Sequence, residues 1–238
     1  MTERDRLRAV ILDALQDPQA HQQRIDTCNA VAGGLTAAGK SLWVGAYLLK
    51  DEPAEGVAVL TEMAGELAQG AVSLFSRELW YAGGSLVRQL IEAEYLFWLF
   101  AREDGAAAGW VDSTPEAVRR TFRPASLRRR SAGTFRDSEY WTHCDLGGHP
   151  NPKGRLLLRE HSNPLGSHDW LWVDLVQHLN RLWPYFRQCL LRHDLVTYVD
   201  AAVLSNADAS LEAWSHTEAE SVRHLEIPPG EERGPTTG

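Results

Sequence analysis

The densest run of chemically capable residues is FRDSEYWTHCDLGGHPNPKGR, residues 135–155. Arg136, Tyr140 and His143 fall at spacings of four and three, which sets them on one face of a helix. His149 follows in a stiff loop with Pro150 and Pro152, and Lys153 and Arg155 close the run. Histidine exchanges its proton near neutral pH, while arginine and lysine hold phosphate. The set therefore suits acid–base chemistry beside a bound phosphate. The competing reading is a capped loop in which His149 hydrogen-bonds backbone.

A second pair lies upstream, in SLVRQLIEAEYLFWLF. Arg88 and Glu92 are four apart and project from one side of a helix that is apolar all round further on. Ionised groups on such a helix must pair or hydrogen-bond. They form either a structural ion pair or, with His149, a polar pocket. Glu94 falls on another face.

Other chemistries lack support. His143, Cys144, Asp145 and His149 follow no standard zinc spacing, so no metal site is expected, and no cofactor. Cys144 and His143 are adjacent, and adjacent helical side chains diverge, which weakens a nucleophilic pair. No GxSxG, P-loop or Rossmann glycine fingerprint occurs.

Charge is unevenly spread. The net charge is −8, yet residues 119–136, RRTFRPASLRRRSAGTFR, hold seven Arg and no acid. The rest of the chain then carries −15. A cationic segment on an acidic body marks either a phosphate-binding patch, with Arg128, Arg129 and Arg130 at its centre, or a helix docked against acidic neighbours.

The elements that must position these residues read as helices. The chain has 238 residues, 44% of them hydrophobic and 24% charged, an ordinary globular composition. Apolar side chains recur at helical spacing in residues 3–16, 20–50, 53–74, 85–104, 134–144, 168–204 and 208–225, and no segment alternates over strand length. Breaks are expected near Gly33-Gly34 or Gly39 and at Gly83-Gly84, and a kink at Pro184. The expected fold is all-α, a bundle of about seven helices. Residues 1–52 form a helical extension, 53–225 the bundle and 226–238 a disordered tail. The scattered cysteines Cys28, Cys144 and Cys189, and a charged N-terminal stretch, suit a cytoplasmic protein without a membrane span.

The layout over about residues 57–200 resembles a bacterial domain family of unknown function. That family's pattern is an R-x-x-x-E helix followed by a Y…HP-x-P loop, here Arg88, Glu92, Tyr140 and His149-Pro150-Asn151-Pro152. The family is similar in turn to the HEPN superfamily of helical RNA-acting and toxin-like proteins. HEPN ribonucleases cut RNA without metal, using an Arg and a His with four to six residues between them. Arg136…His143, Arg155…His161 and Arg187…His193 have that form, and Arg136-Asp137…His143 also has the preferred polar follower.

The resemblance implies a metal-independent endoribonuclease, a toxin or phage-defence effector acting as a homodimer. His143 would move the proton, Arg136 would hold the scissile phosphate and Asp137 would orient one of them. The alternative is a non-catalytic helical module for a ligand or partner protein, built on Arg88, Glu92 and His149. A metal-dependent hydrolase using His143 and His149 is a third.

Overall fold

The computed structural model describes residues 3–159, 163 and 167–223. The tail expected at 226–238 and His161 lie outside them. The described residues are all-helical, without a strand. The elements are α1 (Glu3–Gln16), α2 (Pro18–Leu49), α3 (Glu52–Phe75), α4 (Trp80–Phe100), α5 (Ala106–Val111), α6 (Pro115–Ala117), α7 (Pro124–Arg130), α8 (Asp137–His143), α9 (Arg155–Leu158), α10 (Trp170–Arg192) and α11 (Ala201–Arg223).

Local chemistry sets the boundaries. Asp17 and Asp51 each cap the helix that follows, accepting from Ala20 N and Ala54 N, with a Pro in the first turn of each helix. Thr114 does the same for Ala117 N. Lys50 closes α2 in the left-handed region at φ 53°.

The glycines expected to break helices do something else. α2 runs unbroken through Gly33, Gly34 and Gly39, and Gly83 and Gly84 lie inside α4. A Cβ on Gly39 would stand 2.6 Å from Glu62 N, and one on Gly65 would stand 2.5 Å from Thr36 Oγ1. A Cβ on Gly83 would meet the Phe75 ring at 2.4 Å. Gly39 and Gly65 let the backbones of α2 and α3 approach, Gly83 makes room for the Phe75 ring, and this packing outweighs the cost of Gly in a helix.

The core runs through α2, α3, α4, α10 and α11. Leu175, Leu179, Leu182, Phe186 and Leu190 of α10 are all fully buried, and the helix continues through Pro184. They pack on α4, whose Leu90, Phe97 and Phe100 are also fully buried. Val31, Leu35 and Leu42 of α2 belong to the same core cluster. Arg24 fastens the far end: its buried guanidinium binds Glu218 of α11 at 3.0 and 3.1 Å and the carbonyls of Leu15 and Ala14 at 2.9 and 3.1 Å. The three cysteines are free and buried. Burial pushes the Cys189 thiol up to about 12 and the Cys28 thiol higher still. No described helix is long and apolar enough to cross a membrane.

His193, just past α10, gives the fold a pH dependence. Burial holds its pKa below the ordinary value, although the Phe100 carbonyl accepts a hydrogen bond from the ring. Its Nε2 is buried with no partner among the described residues. The unfolded chain therefore takes up a proton that the folded chain refuses. Stability from this group is full above about pH 6.5, the ordinary histidine value, and is lost as pH falls below it. Urea denaturation at pH 7.5 and pH 5.5 should show His193→Leu flattening that loss relative to wild type.

Candidate functional site

Two polar networks lie on either side of α8, one against α4 and one against α10. The first contains Arg88 and Glu92. Arg88 Nη2 meets Glu92 Oε1 at 2.6 Å and donates to Tyr140 Oη at 3.0 Å. Tyr140 Oη in turn donates to Glu92 Oε1 at 3.2 Å, and Arg88 Nε points at Cys144 Sγ at 3.4 Å. Arg128 covers the other side of the Tyr140 ring, 4.0 Å from its centroid, and binds Asp137 at 2.5 Å. Burial raises the Tyr140 phenol, the Glu92 charge raises it further, and Arg88 only partly offsets them. Burial works against the Arg88 cation, but Cys144, Glu92 and Tyr140 together raise its pKa. Arg88, Glu92 and Tyr140 satisfy one another, while Arg128 Nη1 is buried with no hydrogen-bond partner among the described residues.

The loop following α8 is seated by backbone contact. A π-type turn over Cys144–Gly148 brings Gly147 so close to α4 that a Cβ would stand 2.8 Å from Gly84 C and Ser85 N. Ser85 Oγ donates to the Gly147 carbonyl. A Cβ on Gly154 would likewise stand 2.7 Å from the Tyr81 ring. With the turn clamped there, His149 is exposed beyond it. Tyr140 and Cys144 occupy the place beside Arg88 and Glu92 that the sequence reading gave to His149. Lys153 pairs with Asp145, and Arg155 is exposed.

The second network was not read from the sequence as a unit. His143 ends α8 and faces Asp174 of α10, its Nε2 2.9 Å from Oδ2. His143 Nδ1 lies 2.8 Å from the Glu139 carbonyl. His178, one turn after Asp174, sets Nδ1 2.9 Å from Glu94 Oε2 and Nε2 3.7 Å from Asp174 Oδ1. Arg181 joins the two outer carboxylates, at 2.6 Å to Glu139 and 3.4 Å to Glu94. Burial alone would lower the His143 pKa, but the hydrogen bond and charge of Asp174 outweigh it and raise it. Burial likewise opposes the Asp174 anion, yet His143 and His178 hold its carboxyl below the usual value. Asp174-x-x-x-His178 was a legible signal, two ligand types on one helix face. It went unread because each residue sat inside a strongly apolar helix.

The residues of the expected nuclease set are separated. Arg136 is exposed at the start of α8 and makes no ion pair among the described residues. Seven residues along a helix is a rise of about 10 Å, and His143 turns both ring nitrogens to protein acceptors. Asp137 belongs to Arg128.

The arginine segment is divided too. Arg128 is buried and Arg130 pairs with Glu103. Arg119, Arg120, Arg123, Arg129 and Arg136 are exposed without an ion pair among the described residues. Phe135 is buried against Tyr95 and Trp98, so it offers no exposed ring. Trp141 does: it is exposed, with Arg128 Cζ 6.0 Å from its ring. Compared with protein-family models, curated proteins and solved structures, the chain matches none of them.

Proposed function

We propose that this is a HEPN-like helical module that binds single-stranded RNA along the 119–141 segment. The observation that carries it is five exposed arginines without acidic partners among the described residues, within eighteen residues of a chain whose net charge is −8. Counter-ion release from phosphates would supply the affinity. Trp141, exposed beside the segment, adds a ring on which a splayed base can stack, which favours single strands over duplex. Strand cleavage is not part of the reading, because Asp137 pairs with Arg128 and His143 with Asp174, while Arg136 is exposed without an ion pair among the described residues.

Fluorescence anisotropy with a labelled single-stranded RNA, in chelator and at several salt concentrations, tests this. Affinity should fall steeply with salt, with a slope of about −0.7 per phosphate neutralised. Arg119→Ala with Arg120→Ala should reduce that slope by about 1.4. Trp141→Ala should cost about 1–3 kcal/mol at every salt concentration. Absence of salt-dependent binding overturns the proposal. The RNA should be recovered intact; chelator-resistant cutting that disappears in His143→Ala would instead favour the endoribonuclease.

A further inference from the structure

We infer that His143, Asp174 and His178 form a site for one divalent transition-metal ion of the zinc class, with remaining coordination positions open to solvent. The argument begins with ring orientation. The Glu139 carbonyl can only accept, so His143 Nδ1 carries a hydrogen, while His178 Nδ1 is held between the Glu94 carboxylate at 2.9 Å and the Arg181 guanidinium at 2.7 Å. This outer contact fixes a ligating histidine's tautomer and aims its other nitrogen. Both Nε2 atoms then aim at one carboxylate, Asp174, at 2.9 and 3.7 Å.

Size and charge agree. The ligand atoms of the three residues all lie within 4.8 Å of one another. Zinc bound at about 2.0–2.2 Å in a tetrahedron sets its donors about 3.3 Å apart, between the two separations observed. Arg181 pairs with Glu94 and Glu139 while Asp174 faces the two histidines, so three carboxylates stand around one guanidinium and the cluster favours a cation. Two imidazoles and one carboxylate select a borderline ion over magnesium or calcium, which prefer oxygen.

Access is graded. The His178 side chain is 1% exposed and His143 10%, whereas Asp174 is 19% and Glu139 30%. The histidines are held from within and the carboxylates form the mouth. Glu139 stays on Arg181, 2.6 Å away, so three protein ligands meet the ion and water fills the rest. That is the open arrangement of catalytic rather than structural sites.

The test uses the full chain, stripped with chelator and titrated with zinc chloride and with cobalt chloride. One equivalent should bind, and the cobalt form should show the intense visible bands of a four- or five-coordinate nitrogen–oxygen site. Asp174→Asn and His178→Gln, each checked for native circular dichroism, should weaken binding by about 100-fold or more. Glu94→Gln, which alters the outer contact to His178 and the ion pair with Arg181 but no ligand atom, should weaken it about 10–100-fold. His149→Ala, on the exposed loop, should leave it unchanged. Failure to bind one equivalent overturns the inference, as does binding that survives both Asp174→Asn and His178→Gln, or binding lost in His149→Ala. If His178→Gln fails to fold, Asp174→Asn decides, because the side-chain amide, with both a donor and an acceptor, can still hydrogen-bond His143 Nε2.

Discussion

Glu218→Ala should destabilise the protein by about 3–5 kcal/mol in urea denaturation, far more than a surface ion pair is worth. Arg24 cannot shed its charge, and its side chain is only 1% exposed. Removing Glu218 leaves that charge with two carbonyl contacts and no counter-ion. The cost is that of an uncompensated buried cation rather than the worth of the pair. Arg24→Met combined with Glu218→Leu should therefore recover most of the loss, since a buried pair replaced by apolar side chains is often neutral. A double variant no better than Glu218→Ala would show that the stranded charge does not set the cost.

The seam between α2 and α3 should be almost as sensitive. Gly39→Ala with Gly65→Ala adds two methyl groups where the facing atoms are backbone, at 2.6 Å from Glu62 N and Thr36 N. Backbone cannot step aside as a flexible side chain can, so the helices must separate. Overpacking costs about 1–3 kcal/mol per site, partly offset by the helix propensity of Ala. Together a loss of about 2–5 kcal/mol is expected in the denaturation midpoint. Gly33→Ala, where an added Cβ meets nothing within 4 Å, should instead be neutral or slightly stabilising.

That contrast marks how far the fold was legible. Helical periodicity placed the apolar face of α10 residue by residue, from Leu175 to Leu190, and marked Tyr95–Phe100 as central. Both rest on a repeat of 3.6 residues that a one-dimensional pattern carries. A glycine carries no such sign. Gly39 as a breaker and Gly39 as a contact look alike until the facing helix is known, and that partner is twenty-three residues away. The site followed the same division. The Arg88–Glu92 pair is local, one turn apart, and its spacing announced it. Tyr140 and Cys144 reach that pair only because Gly147 lets the turn settle onto Gly84. The cluster of His143, Asp174, His178, Glu94 and Arg181 spans three helices. One half of it, Asp174-x-x-x-His178, was readable in spacing, but the convergence with His143 was not. The sequence reading also gave His143 its neighbours along the chain, Arg136 and Asp137, when packing gave it Asp174.

The three thiols lie in three different layers: Cys28 on α2, Cys189 on α10, and Cys144 in the π-type turn beside Arg88. A thiol reacts only when water reaches it, so each one times the opening of its own layer. Cys144 needs only the turn at Gly147 to lift away from α4. Cys28 and Cys189 wait until long helices part. The chain thus carries a clock with one fast hand and two slow ones, and the gap between them measures how independently the loop breathes from the bundle beneath it.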